Sequence, residues 1–128
     1  MQLQSRDIEA YLTEVKMAVH EGRYRLERND KRRRNRELFI KYVINERKTE
    51  EILQSLTLHD FSGIVQNEHR GYENELLYIF GRNVQLLERF GSRMKTVPLY
   101  IKLNRLDNEF VIVISFHEQE YPLTYYFQ

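Results

Sequence analysis

The stretch VPLYIKLNRLDNEFVIVISFHEQE, residues 97–120, decides the fold. Two runs rich in β-branched and aromatic residues, the composition typical of strands, flank Asp107 and Asn108. A two-residue turn at this pair predicts an antiparallel hairpin. Because side chains alternate along each strand, the hairpin must have two faces of different character.

The predicted turn also determines the cross-strand register. It gives three apolar pairs: Leu103 with Ile112, Ile101 with Ile114, and Leu99 with Phe116. The other face then carries the remaining side chains, which are Tyr100, Lys102, Val113, Ser115 and His117. In this register Tyr100 opposes Ser115 and lies diagonally across from His117. We therefore expect a phenol, an ammonium group and an imidazole together on the face turned away from the core.

Helices are expected before the hairpin. Apolar residues recur at three and four in residues 6–22, a segment that ends at Gly22, and similar spacing predicts helices in 35–44 and 48–56. Thr49 is expected to cap the third helix, and Thr57 to cap a short turn after it.

Further strands and loops complete the predicted fold. Strands are expected at 23–28, 75–81 and 123–127, and loops at 31–36 and 89–96. The pattern predicts one α+β domain over residues 1–128. Its helical half, about 5–60, covers one face of a mainly antiparallel sheet formed by about 74–127.

Composition narrows the class of protein. The chain has 128 residues, 41% hydrophobic and 30% charged, which predicts one folded domain rather than a disordered chain. It has no cysteine, so neither a disulfide framework nor a thiolate metal site can form. No apolar run is long enough for a membrane span or a secretion signal. We expect a cytoplasmic protein that does not contact the membrane.

The net charge of +1 conceals a basic block between Arg23 and Arg36. Eight arginine and lysine residues in this block are opposed only by Glu27 and Asp30. The guanidinium fork pairs well with phosphate oxygens, so the block indicates a nucleic acid or another phosphate ligand. An acidic partner protein and a merely solvated loop remain alternatives.

The chemistry expected of the hairpin is RNA cleavage. A Ser-His hydrolase would need a strained nucleophile turn, which the stretch around Ser115 lacks. In RNA cleavage the 2′-hydroxyl is the nucleophile, and the enzyme supplies a proton acceptor, a donor and cationic groups. His117 suits either proton role, and neither a metal nor a cofactor is needed. His117 as an exposed strand end and Lys102 as a solubilising charge are the alternatives.

Four segments carry a resemblance to a known family: VKMAVHEGRYRL, LTLHDF, LYIKL and VISFHEQEYPLTYYF. In this order they resemble MqsR-family toxins of bacterial type II toxin-antitoxin systems, which are relatives of the RelE superfamily. The resemblance extends from about Tyr11 to Phe127. It implies an mRNA interferase with a compact α+β fold, metal-independent cleavage and a cognate antitoxin protein that binds the toxin tightly.

The resemblance also implies site residues. Tyr100 in LYIKL matches an active-site tyrosine of the family, and His117 in SFHE stands where the better-known branch has a catalytic lysine. A second family lysine is absent, because Ser62 or Gly63 occupies its position, and Arg82 lies near the position of a family glutamine.

These observations lead to one expectation and one alternative. We expect an endoribonuclease toxin in which His117 is general base or acid and Tyr100 orients or protonates. The groups expected to bind RNA are Lys102, Arg25, Arg28 and Arg82 at phosphates and, by stacking, Tyr126 at a base. The alternative is a module that binds RNA or an acidic protein without cleavage.

Overall fold

The computed structural model describes residues 2–28 and 32–127. Its helices are α1 (Ser5–His20), α2 (Arg33–Lys41) and α3 (Glu46–Ser55), followed by a short 3-10 turn (Leu58–Asp60). Its strands are β1 (Tyr24–Leu26), β2 (Phe61–Gln66), β3 (Leu76–Leu87), β4 (Met94–Arg105) and β5 (Val111–Glu118). They form one sheet in the order β1-β5-β4-β3-β2. Among the strands of the described residues, only β1 and β5 pair in parallel, which confirms an α+β fold with a mainly antiparallel sheet.

The apolar faces of the helices explain how they pack. Residues of α1 at helical spacing, including Ile8, Leu12 and Val15, are buried and share one hydrophobic core with α3 and the sheet. The helix ends before Gly22, whose φ of 76° is the left-handed conformation that glycine adopts without strain. Among the described residues, no helix is both long and apolar enough to cross a lipid bilayer.

The turn between β4 and β5 differs from the predicted one. The amide of Leu106 donates to the carbonyl of Phe110, so three residues, 107–109, form the loop. Glu109 has a φ of 67°, the left-handed conformation that closes a three-residue hairpin loop. Next to the turn, Leu103 therefore faces Val113, and the predicted pairing of Leu103 with Ile112 is wrong.

A β-bulge in β5 shifts the register a second time. Lys102 faces Ser115 while its neighbour Leu103 faces Val113, so Ile114 is an extra residue without a partner on β4. Beyond the bulge Ile101 faces Phe116, and Tyr100 faces His117 directly instead of diagonally. The turn and the bulge each shift the pairing by one residue. Because side chains alternate with a period of two, the combined shift of two residues leaves the end of β5 on the predicted face.

The sheet consequently has a core face and an outer face. The core face carries Leu99, Ile101, Leu103, Val111, Val113 and Phe116, all fully buried or nearly so. The prediction of Ile112 and Ile114 on this face, and of Val113 on the other, was wrong. The outer face carries Tyr100, Lys102, Ser115 and His117, as predicted for these four residues.

Other local predictions need correction. Residues 123–127 do not form a strand, because after β5 the chain leaves the ladder and crosses the sheet. Helix α2 begins at Arg33, inside the arginine run predicted to be a loop, and the prediction for residue 31 lies outside the described residues. The N-cap of α3 is Asn45, whose side chain accepts from the amide of Lys48, and Thr49 lies buried inside the helix. Thr57 does form the predicted cap, reciprocally with Asp60.

The segment after β5 lies across the outer face of the sheet and reaches β2. The Gln119 side chain donates to the carbonyl of Leu99, and the amide of Tyr126 donates to the carbonyl of Phe61. The chain passes over Gly81, where an added Cβ would come within 2.6 Å of Leu123. This crossing borders the outer face on the side of Tyr100.

Candidate active site

His117 and Tyr100 form a stacked pair on the outer face. Their strands place them directly opposite each other, with ring centroids 5.1 Å apart and ring planes 11° from parallel. Each ring covers part of the other and so shields it from water. The imidazole and the phenol are therefore held side by side before any ligand binds.

The surroundings of His117 favour the neutral ring. Its Nδ1 lies 2.9 Å from the carbonyl oxygen of Glu118, a geometry in which Nδ1 carries the proton and donates it. Burial is the largest effect on the pKa of His117 and lowers it. The hydrogen bond to the Glu118 carbonyl, the next largest effect, raises it, as does Glu120, while the charges of Arg34 and Lys102 lower it, and the net shift is downward. At neutral pH the ring thus has an unprotonated Nε2, which can accept a proton.

Lys102 lies beside this pair and opposite Ser115. Burial and then the charge of Arg32 lower the pKa of Lys102, while Glu68 acts in the opposite direction. Burial raises the pKa of Tyr100, so its phenol keeps its proton and remains a hydrogen-bond donor. The two side chains line a cleft of about 360 Å³ together with Arg32, Ile79, Ile114 and residues 65–69.

The first turn of α2 brings arginines to the same place. A second cavity, of about 230 Å³, is lined by Arg32, Arg33, Arg34, Asn35, Ser115 and His117. Arg34 pairs with Glu120 at 2.7 Å, and Arg33 pairs with Glu37 at 3.5 Å. Arg32 forms no ion pair within residues 2–28 and 32–127 and lines both cavities. Its guanidinium is available for a phosphate.

Asn35 fastens the start of α2 to β5. Its Oδ1 accepts from the amide of Phe116 at 2.8 Å, and its Nδ2 donates to the carbonyls of Ile114 at 2.9 Å and Glu27 at 2.7 Å. Strand β1 pairs with β5 at residues 111–113, and beyond that point the Asn35 side chain bonds the edge of β5 in place of a neighbouring strand. Because Asn35 adjoins Arg34 and bonds next to His117, it determines where the arginines stand relative to the imidazole.

The structure brings together three of the predicted site residues, His117, Tyr100 and Lys102. The other four lie apart from them. Arg25, on the edge strand β1, pairs with Glu27 at 3.1 Å, and the Arg28 guanidinium lies 4.9 Å from the centroid of the Phe39 ring.

Arg82 and Tyr126 also lie apart from this cluster. Arg82 is opposite Leu99 in the ladder, on the core face, and pairs with Asp60 at 3.1 Å. Tyr126 packs against Phe61, and its hydroxyl accepts from the amide of Leu3.

Sequence reasoning did not single out Arg32, Arg34 and Asn35. Their only signal was membership of the basic block, which does not show which of its residues turn toward the hairpin. Comparison of the chain with protein-family profiles, with curated proteins and with solved structures gives no match in any of the three.

The cluster can perform proton transfer next to a bound anion. A neutral imidazole can take a proton, a protonated phenol can donate a hydrogen bond, and Lys102 and Arg32 can hold negative charge. In the described parts of the chain, no three histidine or acidic side chains group as metal ligands.

Proposed function

We propose that this protein is a metal-independent endoribonuclease. The observation that carries the proposal is the stacked His117–Tyr100 pair beside Lys102 and Arg32. RNA supplies its own nucleophile, so a site with a base and cationic groups suits this substrate.

In the proposed reaction, Nε2 of His117 accepts the proton of a 2′-hydroxyl. The 2′-oxygen then forms a bond to the adjacent phosphorus, and the bond from phosphorus to the 5′-oxygen breaks. The leaving 5′-oxygen takes up a proton from water, which yields a 2′,3′-cyclic phosphate and a 5′-hydroxyl, and His117 later returns its proton to water. Lys102 and Arg32 stabilise the charge that develops on the phosphate oxygens, and the Tyr100 hydroxyl orients the phosphate.

We further propose that the enzyme acts as the toxin of a toxin-antitoxin pair. This part rests on the resemblance of segments such as LYIKL and VISFHEQEYPLTYYF to MqsR-family toxins. It implies mRNA as the substrate and a cognate antitoxin protein as the partner. Induction of the protein in a bacterial host should arrest growth, and co-expression of the product of an adjacent small gene should restore it.

A binding module without catalysis is the second candidate. The arginines at the start of α2 favour it, since Arg32, Arg33 and Arg34 would attract RNA or an acidic protein whether or not His117 transfers a proton. The two candidates differ in what they predict for His117. Removal of the imidazole should abolish cleavage in the first case and leave the function unchanged in the second.

The experiment is a cleavage assay on end-labelled single-stranded RNA in the presence of a metal chelator. We expect the wild type to produce 2′,3′-cyclic phosphate ends, and His117→Ala to reduce the rate by about 100-fold or more while RNA affinity is retained. The matched control is His20→Ala, which removes an exposed imidazole at the end of α1. RNA binding without cleavage by the wild type would favour the module, and equal rates for both proteins would remove His117 from the mechanism.

A further inference from the structure

The cleft above Lys102 continues into a third, larger cavity on the outer face, called here the Glu75 cavity. This cavity, of about 420 Å³, is lined by Tyr72, Glu75, Asn104, Leu106, Ile112 and others. It shares four lining residues with the cleft: Arg32, Asn67, His69 and Ile114. The two cavities therefore form one groove, which extends from Tyr100 to Glu75.

A fixed cluster of polar side chains lies in the Glu75 cavity. Oε1 of Glu75 accepts from the side-chain amides of Asn67 at 3.0 Å and Asn104 at 2.9 Å. Both asparagines are buried, and Oδ1 of Asn67 in turn accepts from the amide of His69. These bonds fix the orientation of the carboxylate and of both amides.

Two acceptor atoms of the cluster have no hydrogen-bond partner within the described residues. They are Oε2 of Glu75 and Oδ1 of Asn104. Both atoms are open to solvent, because among the described residues the Tyr11 hydroxyl is the only buried side-chain polar atom that lacks a hydrogen-bond partner. The cavity thus offers acceptors, and its polar wall calls for a ligand with N–H donors.

The remaining walls suit a flat apolar ring. Leu106, Ile112 and Ile114 contribute aliphatic surface, and Tyr72 is 58% exposed beside them. Aromatic side chains of this kind stack on unpaired bases. Lys102 and Asn104 are two residues apart on β4, about 6.5 to 7 Å along the strand, which is comparable to one nucleotide step of an extended chain.

We propose that the Glu75 cavity binds the base adjacent to the cleaved phosphate and selects a base that carries an amino group. Adenine, cytosine and guanine each present an N–H₂ donor that Glu75 Oε2 can accept. Uracil carries carbonyl oxygens where these bases carry the amino group, and its single N–H, at N3, lies between two such oxygens. These oxygens would face the acceptors Glu75 Oε2 and Asn104 Oδ1, so uracil is disfavoured. The proposal rests on the proposed function, because it needs RNA in the groove.

The test compares short RNAs that differ only in the base on either side of the cleavage site. At one of the two positions, we expect the wild type to cleave RNA with an amino-bearing base about tenfold faster or more than RNA with uracil. Glu75→Gln keeps an oxygen for Asn67 and Asn104 but replaces the free acceptor by a donor. We expect this variant to lose the preference, because its rate on RNA with an amino-bearing base falls toward its rate on the uracil RNA. The control Glu9→Gln makes the same charge change on exposed α1 and should retain the preference.

The outcomes separate this proposal from the proposed function. An unchanged base preference in a folded Glu75→Gln refutes the selective cavity and leaves cleavage intact. If the wild type does not cleave, Kd values for the same RNAs replace rates: base selectivity that depends on Glu75 supports the cavity without catalysis, and no RNA binding refutes both. Tyr72→Ala, an exposed change, should weaken binding of every RNA by about fivefold or more, and unchanged affinity would refute the stacking.

Discussion

Removal of the Asn35 side chain should cost this protein a large part of its stability. In Asn35→Ala three hydrogen bonds are lost, those to the Phe116 amide and to the Ile114 and Glu27 carbonyls. Each such bond contributes about 1 kcal/mol net, and a buried backbone group left without a partner costs about 1–3 kcal/mol. Since Phe116 and Ile114 are buried, we expect the free energy of unfolding to fall by about 3 to 5 kcal/mol.

Urea unfolding, followed by circular dichroism, measures this loss. We expect a lower transition midpoint with an unchanged slope, because the variant exposes the same surface on unfolding. Asn83→Ala, an exposed residue of β3, is the control and should change stability by no more than about 0.5 kcal/mol. A loss below about 1 kcal/mol for Asn35→Ala would refute the reasoning, because the backbone groups must then find other partners.

A second variant tests the direction of the same bonds. Asn35→Asp keeps an acceptor for the Phe116 amide but turns an oxygen toward the carbonyls of Ile114 and Glu27. At neutral pH it should be at least as unstable as Asn35→Ala. The two carbonyls favour the protonated acid, which restores one donor, so the folded state binds this proton more tightly than the unfolded chain. The deficit relative to wild type should therefore shrink as the pH falls from neutral toward about 4, the ordinary pKa of an aspartic acid.

Three further outcomes are expected. Glu109→Gly should stabilise the protein by up to about 1 kcal/mol in urea unfolding, because glycine adopts the positive φ of this turn without strain; a loss of stability would contradict this. Gly81→Ala should push aside Leu123 and Tyr125, so proteolysis of the segment after β5 should become faster, and an unchanged rate would contradict the close contact. If His117 is the base, its lowered pKa should keep cleavage constant from about pH 6.5 through neutral pH, and cleavage should fall at lower pH as the imidazole becomes protonated. An acid limb above about pH 7 would contradict this assignment.

The two faces of the hairpin could be predicted only in part, and the uniform apolar character of β5 explains why. In β4 apolar and polar residues alternate, so the sequence shows that Leu99, Ile101 and Leu103 are buried. In VIVI, residues 111–114, the odd-numbered and the even-numbered residues are equally aliphatic, so either set could face the core. The sequence pattern therefore does not reveal the register. The turn was equally hidden, because Glu109 adopts a conformation for which glycine or asparagine is the usual signal.

The side on which His117 lies was predicted correctly although the assumed turn was wrong. The three-residue loop and the extra residue Ile114 each shift the register by one, and side chains repeat every two residues. The arginines could not be assigned in this way. Arg32 reaches the site because Asn35 attaches α2 to the edge of β5, a contact between residues 81 positions apart. Charge and spacing carry no information about such a contact.

Because of the bulge at Ile114, strand β5 could lose one residue without a change in which side chains face the core. Removal of this single residue would leave Lys102 opposite Ser115 and Leu103 opposite Val113, in an unbroken ladder. The interior would keep every side chain on its present side, while Asn35 would lose the Ile114 carbonyl as an acceptor, the groove would lose one aliphatic wall and β5 would straighten. Evolution could thus reshape what the groove accepts by a one-residue deletion in mid-strand, a change that in most sheets would turn the interior outward.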